Sequence, residues 1–331
     1  MSKLSLGWIP YWNLHPLKKE LLDRYSDQVR LHGGEPVVVN QMLKDGVVDI
    51  APCSSICLLK NREHQMSLPL GVAAVGATHS VYWGLKKEHV HLQKIISSRI
   101  LKLKPIFAEA LRRFAHQPKK SINWLSFEIS KTSPVPLNLI PTVALDLASE
   151  SSSMLTRIFY AVLFGTNSEK FLATKAPSGF NGYSSPVQLL IGDRALKARK
   201  EFFSTIDLGS LWFDLTGLPF VFAVWQSKQK PTEEWYHRIM LAGELAEKKM
   251  RIDPLFYVTH SEKNLCTYKS LDLSGYWKRI YYRLGKKELK SLSFFLCLAR
   301  FFFQPETDST FVYKLASWQD SWSSHIIAPE C

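Results

Sequence analysis

Three short stretches place small hydroxyl or amide side chains where a strand-like run gives way to a helix-like one. "IPYWNLHPL" carries Asn13, "APCSSIC" carries Ser54 and Ser55, and "LASESSSML" carries Ser149, Ser151, Ser152 and Ser153. A helix start leaves backbone N–H groups unpaired and holds about half a positive charge, so it attracts a carboxylate or phosphate. Serine and asparagine can cap such a helix or donate to a ligand. Each turn alone is more often just an ordinary cap. Three in one chain point to a site for an anion bearing more than one acidic group.

Other familiar chemistries fit less well. His79, beside Ser80, is a candidate base, although a lone histidine in a strand-like run is more often merely a packed side chain. Asp193, in "IGDRAL", follows a strand at a turn; it is a candidate base or ligand contact, and alternatively the cap of a helix beginning at Ala195. The chain has no GxxxxGK[ST], no GxGxxG and no GxSxG, so neither a nucleotide nor a nucleophile elbow is indicated. Cys53, Cys57, Cys266, Cys297 and Cys331 form no CxxC pair and no disulfide framework. Cys53 and Cys57 can share a helix face, but two thiols without a third ligand are a weak zinc signal. We expect no metal and no organic cofactor, in a reduced, cytoplasmic protein with no secretory leader.

The elements that must position these turns alternate between strand and helix. "LSLGWIPY" reads as a strand and "LKKELLDRY" as a helix, with Leu17, Leu21 and Leu22 on one face. "PVVV" reads as a short strand, "NQMLKDG" as a helix, "VVDIAP" as a buried strand and "SSICLLKN" as another helix start. "GVAAVGATHSVYWGLKK" holds two further strand-like runs. "TVALDLASESSSMLTRIFYAVLFG" predicts strand, capped turn and helix, stopped at Gly165. "SPVQLLIGDRALKARK" repeats strand, turn and helix. This alternation predicts an α/β fold with largely parallel sheets, and 331 residues suit two lobes.

An amphipathic helix is expected from Pro105 to His116, with Pro105 at its first position. The Pro-, Ser- and Lys-rich stretch after it is expected to be an irregular connection. The run "IDLGSLWFDLTGLPFVFAVW" is strand-like and broken by Gly217-Leu218-Pro219. "LSFFLCLARFFF" is too short for a membrane span and reads as a buried helix.

Net charge is +13, and residues 86–131 hold 11 Lys or Arg against 3 Glu, which is +8. Such an excess suits a solvated face first, and otherwise nucleic acid, an anionic surface or an anionic substrate. No nucleic-acid motif accompanies it. The partner expected is a small molecule, with no nucleic acid and no membrane insertion.

"GWIPYWNLHPL", "VVDIAPCSSICLLKN", "LASESSSMLTRIFY", "LLIGDRALKA" and "DLGSLWFDLTGLPFVFAVW" follow one another as in the chorismate dehydratases of the futalosine route to menaquinone, which the chain resembles over most of its length. "YWKRIYYRLGKKELKSLSFF" is similar to that family's C-terminal helices. The resemblance implies a two-lobed fold like type II periplasmic binding proteins, with the ligand between the lobes. One lobe would comprise residues 1–82 and 222–331, the other 83–221, with two crossover strands. Gly217-Leu218-Pro219 would approach the hinge, and "FVFAVW" would be a crossover strand buried on both faces.

The same resemblance implies that chorismate, a dicarboxylate, loses water to give 3-[(1-carboxyvinyl)oxy]benzoate. Asn13 would orient the substrate at its leaving hydroxyl, and Ser80 would hydrogen-bond a carboxylate. Ser54, Ser55, Ser151 and Ser152 would bind carboxylate, with Asp193 a further contact. The base would be the substrate's own enolpyruvyl carboxylate. The chain departs from the pattern in His79 and in an atypical basic insertion over about residues 100–138, expected to be a tolerated surface loop. The alternatives are a non-catalytic small-carboxylate binder of the same fold, the sister enzyme making a dihydroxynaphthoate, and a nucleic-acid or membrane-surface binder using residues 86–131.

Overall fold

The computed structural model describes residues 3–60, 65–165, 170–174, 185–259 and 271–303. Its first lobe begins with β1 (Leu4–Trp8), α1 (His15–Tyr25), β2 (Val29–Gly33), α2 (Pro36–Lys44), β3 (Ile50–Ser54), α3 (Cys57–Lys60) and β4 (Gln65–Ala74). "PVVV" is thus helical, not a strand. Pro36 occupies the first turn, where a missing N–H costs nothing. Pro36, Val39, Asn40 and Leu43 bury one helical stripe, leaving Val37 and Val38 exposed. The strand of this region is instead "VRLHG", a polar edge strand with no apolar alternation to announce it.

The second lobe contains β5 (Val81–Leu85), α4 (His91–Phe114), α5 (Pro118–Ser130), β6 (Val143–Asp146), α6 (Glu150–Phe164), β7 (Phe171–Thr174), β8 (Val187–Ile191), α7 (Gly192–Ala198) and β9 (Ser204–Asp207). The chain then returns through α8 (Leu208–Thr216) and β10 (Phe220–Ser227). The described residues continue with α9 (Glu233–Ile252), α10 (Leu255–Thr259), α11 (Leu273–Arg279), β11 (Ile280–Arg283) and α12 (Lys286–Phe303).

Two sheets result, in the orders β11-β4-β10-β3-β1-β2 and β7-β6-β8-β5-β9. β1 pairs in parallel with β2 and β3, and β6 with β7 and β8. The strands that follow each crossing run against this direction: β10 is antiparallel to β3 and β4, and β5 to β8 and β9. The expected lobe divisions, after residues 82 and 221, fall within β5 and β10.

One carboxylate ties the two crossings together. Asp207 caps α8 by accepting from the Ser210 N–H at 3.0 Å, and it accepts the N–H groups of Thr78 (3.0 Å) and His79 (2.7 Å). His79 has φ +63°, a left-handed conformation that costs a non-glycine residue about 1 kcal/mol and that these bonds hold in place.

The run from Ile206 to Trp225 is therefore not one broken strand. Leu208–Thr216 is helical, Gly217 ends it in the left-handed conformation, and Pro219 precedes β10, whose residues are almost all buried between β3 and β4. Trp212 packs edge-on to Phe220 at 5.3 Å, and Trp225 meets Trp8 at 5.9 Å. Each such pair contributes about 1 kcal/mol beyond its burial.

The basic segment is not a loop. α4 runs through Pro105, and the Pro/Ser/Lys-rich stretch folds as α5, with Pro118 in its first turn. Leu103, Phe107, Ala110, Leu111 and Phe114 of α4 join Ile122, Leu125 and Ile129 of α5 in one buried stripe. That stripe meets the apolar C-terminal helix α12: Phe294 lies 6.1 Å from Phe107 and 5.1 Å from Phe114. Buried Arg99 closes the hairpin, donating to the Ser133 carbonyl and the Thr132 hydroxyl, both at 2.9 Å. Among the described residues, no helix is long and apolar enough to cross a membrane.

Candidate functional site

The ends of β1, β3, β4 and β8, and the start of α6, converge on one cleft between the lobes. Counted out to its open mouth, it takes in about 610 Å³ of space, part of it open solvent. Its polar lining is Tyr11, Asn13, Ser54, Thr78, Ser80, Ser149, Ser152 and Tyr276; apolar side chains such as Ile9, Val72, Ile191, Phe222 and Ile280 supply the rest. Among these described lining residues there is no Lys, Arg, His, Asp or Glu.

The arrangement offers neutral donors aimed at one space. Ser149 caps α6: its hydroxyl accepts the Ser152 N–H at 3.3 Å and donates to the Ser152 hydroxyl at 2.9 Å. The positive end of this 15-residue helix faces the cleft. Ser54 ends β3; its N–H donates to Asn40 Oδ1 at 3.2 Å and its carbonyl accepts from Gln226 Nε2 at 3.1 Å, leaving its hydroxyl in the lining. Ser80 directly precedes β5, and its hydroxyl meets that of Tyr276. Burial pushes the Tyr276 phenol above its usual range, and the Ser80 hydrogen bond opposes the shift only in part. Tyr276 therefore stays a neutral donor.

Asn13 stands out. Its Oδ1 is buried without a partner among the described residues. Its backbone, by contrast, is fixed: the Asn13 carbonyl accepts from Tyr282 Oη at 2.6 Å, and the Trp12 carbonyl from Trp277 Nε1 at 2.8 Å. A buried acceptor left open costs about 1–3 kcal/mol, the kind of cost a binding site carries until its ligand arrives.

Charges ring the mouth. Tyr11 donates to Glu35, and Arg194 pairs with Asp146. Burial first, and then Glu35, hold the Tyr11 phenol well above its ordinary range. Burial also raises the Asp146 carboxyl, with Arg194 opposing. Glu150, in the first turn of α6, accepts from Asn40 Nδ2 at 3.0 Å and pairs with Lys60, which bridges the lobes.

Of the residues expected from the sequence, Asn13, Ser54, Ser80 and Ser152 share the lining. Ser55, Ser151 and Asp193 do not. The Ser55 hydroxyl donates to the Val221 carbonyl at 2.7 Å, and the Ser151 hydroxyl accepts the Ile56 N–H at 3.2 Å. Asp193 sits within the first turn of α7 and accepts the Trp12 N–H at 2.9 Å. In "SS" and "SSS" alternate hydroxyls point apart, so one packs while its neighbour faces the cleft. Thr78, Tyr11 and Tyr276 escaped the sequence reading as site residues. Tyr11 had a signal, since it lies two residues before Asn13; Tyr276 had none, because only tertiary folding brings α11 to β5. His79 is outside the lining, and burial lowers its pKa to about 4, aided by Arg199 and Arg279. Cys53, Cys57 and Cys297 are free and buried, which raises their thiols; Cys266 and Cys331 lie outside the described residues. Among the described residues, no three His, Cys, Asp or Glu side chains gather to hold a metal.

Solved structures share the architecture at low identity. The alkanesulfonate-binding protein SsuA from Xanthomonas axonopodis pv. citri, bound to MOPS, is 11% identical with a TM-score of 0.55, covering 95% of this chain and 98% of that one. A Candida albicans gene product described as having the generic periplasmic binding protein fold is 10% identical with a TM-score of 0.50, covering 96% and 95%. An ABC transporter protein from Parabacteroides distasonis is 14% identical with a TM-score of 0.52, covering 94% and 98%. These likenesses show the fold: two-lobed, of the periplasmic-binding-protein type. The family model described as menaquinone biosynthesis matches residues 4–101 and 121–300. The unmatched stretch between them is the far end of α4 and the start of α5, the tip of the basic hairpin. With most of its length matched, this chain belongs to the menaquinone biosynthesis family.

Proposed function

We propose that the protein is a chorismate dehydratase, a carbon–oxygen lyase that converts chorismate to 3-[(1-carboxyvinyl)oxy]benzoate and water. The observation that carries this reading is the lining itself, in which neutral hydroxyls and one unpartnered buried amide oxygen face a single cleft. Two carboxylates suit two sets of donors in that lining, Ser54 from the first lobe and Ser149 and Ser152 at the α6 start from the second. Asn13 Oδ1 would accept a hydrogen bond from the hydroxyl that departs, while its amide N–H₂ supports the leaving oxygen.

The chemistry asks little of a protein base. Hydroxide leaves C4 as the C3 proton is removed, the electron pair of the C3–H bond completes the aromatic ring, and the two fragments together are water. The described lining offers no carboxylate or imidazole to take that proton. A carboxylate of the substrate, held near C3, is left as the acceptor. The protein's part is then to fix a reactive conformer and to exclude water, which positioning alone can accelerate by many orders of magnitude. We expect the enzyme to work in the cytoplasm, without a metal or organic cofactor.

A second reading has support in the fold, since the alkanesulfonate-binding protein shares it: a non-catalytic binder of a small carboxylate. Incubating the purified protein with chorismate and following the products by ultraviolet absorbance and mass spectrometry separates the two. A new aromatic species 18 mass units lighter (about one water) supports the lyase. Saturable binding with chorismate recovered intact would replace it with the binder.

A further inference from the structure

Two of the stretches that carry the resemblance touch one another across the cleft. "IPYWN" follows β1 in the first lobe, and "IGDR" joins β8 to α7 in the second. The Trp12 N–H donates to Asp193 Oδ1 at 2.9 Å, although 181 residues separate them. Beside this bond the Tyr11 ring lies on Gly192. A Cβ at Gly192 would stand 2.7 Å from Tyr11 Cε2, and φ is +59°, so glycine is needed there twice over. The Gly192 N–H in turn donates to the Ser80 carbonyl at 2.8 Å.

These bonds form a chain from one wall of the cleft to the other. Ser80 holds Gly192, Asp193 holds Trp12, and the next residue is Asn13. From its own lobe the same loop is held at the Trp12 and Asn13 carbonyls by Trp277 and Tyr282. Those two contacts fix the loop on its sheet, whereas Asp193 sets it relative to Ser80 and the second lobe. The Asp193 carboxylate thus holds a backbone amide next to the open Asn13 Oδ1, and Asp193 stands outside the lining.

We infer that Asp193 is a positioning residue, which by holding the Trp12 N–H across the cleft sets Asn13 against the substrate. The part of this inference that concerns turnover rests on the dehydratase reading; the part that concerns the tether does not. A bidentate or short acceptor is not required. Any side chain with a carbonyl oxygen at Oδ1 can serve, because a neutral amide accepts from a backbone N–H nearly as well as a carboxylate does.

The test compares wild type, Asp193→Asn and Asp193→Ala by hydrogen exchange at the Trp12 amide and by steady-state kinetics on chorismate. Exchange at Trp12 should be slow in wild type and in Asp193→Asn, and at least ~10-fold faster in Asp193→Ala, as for an amide that loses its acceptor. In Asp193→Ala kcat should fall by roughly 10- to 100-fold with KM changed by less than about 3-fold, the signature of a misplaced reacting group. Asp193→Asn should keep kcat within about 3-fold of wild type, since the acceptor remains. Unchanged Trp12 exchange in Asp193→Ala would overturn the tether, even in a protein that does not turn chorismate over. An Asp193→Asn variant as impaired as Asp193→Ala, with normal Trp12 protection, would overturn the positioning role in favour of a carboxylate acting directly. Wild type that leaves chorismate intact would sink the dehydratase reading and leave the exchange result to decide the tether.

Discussion

The cleft and the α4–α5 hairpin divide the polar residues of this chain in opposite ways. In the cleft, small neutral groups are buried, fixed by backbone bonds and turned toward one space. On the hairpin, Lys94, Lys102, Lys104, Arg112, Lys119 and Lys120 are exposed, while the buried stripe is wholly apolar apart from Arg99 and Ser121. Among the described residues, a chain of net charge +13 thus lines its pocket without a cation and places its charge where solvent screens it. Overall charge is therefore a poor guide to the site. What guides is which hydroxyls remain after the fold has used the others.

This contrast can be broken at either region. The largest effect should come from Asn13→Ala, in which kcat falls by ~10²- to 10³-fold, as when one donor to a developing charge is lost. Circular dichroism and melting temperature should stay near wild type, because the side-chain oxygen has no partner to lose among the described residues. In the hairpin, Phe114→Ala removes a ring packed against Phe294 and should cost about 3–5 kcal/mol in denaturant unfolding. Turnover per folded molecule should not change. Deleting the hairpin should yield unfolded or aggregated protein, since it would bare the aromatic face of α12.

Smaller effects sharpen the comparison. Ser54→Ala and Ser152→Ala should each raise KM by roughly 5- to 10-fold, the worth of one hydrogen bond of about 1–1.5 kcal/mol, in steady-state assays. His79 gives a pH signature. Its folded pKa, about 4, lies below the unfolded value of about 6.5, so the unfolded chain binds more protons below that value. The stability of the neutral imidazole is present above about pH 6.5 and is lost as pH falls toward about 4. His79→Asn, which suits a left-handed backbone, should flatten the decline of melting temperature between pH 6.5 and 4.5 that thermal scans record for wild type. Smallest of all, Lys102→Glu and Lys104→Glu should shift stability by no more than ~0.5 kcal/mol and leave kcat unchanged in the same assays.

Much of the fold was legible because alternating strand and helix patterns are strong over short windows. β1, β3, β4, β6, β8 and α6, with its Ser149 cap and Gly165 stop, follow from apolar runs and turn residues. The failures have physical reasons. "PVVV" has strand-forming side chains, but Pro36 and the burial of every third or fourth residue make it a helix. Pro105 looked like a helix start and instead sits inside α4, where tertiary packing by Leu103, Phe107 and Phe114 outweighs the lost bond. α5 hid among lysines and serines because only Ser121, Ile122, Leu125 and Ile129 face the core. In the site, strand-end turns were readable, but which serine of each cluster faces the ligand was not. A hydroxyl's direction depends on partners such as Val221 and Ile56, far away in sequence.

The central claim is that a neutral cleft, not the basic surface, holds and converts a doubly negative metabolite. A crystal structure of the slowed Asn13→Ala variant soaked with chorismate tests it most directly. The account predicts the ligand between the lobes, with one carboxylate at the Ser149–Ser152 helix start, the other near Ser54 or Ser80, and its C4 hydroxyl facing position 13. Carboxylates seated on hairpin lysines, with the interlobe cleft empty, would contradict it.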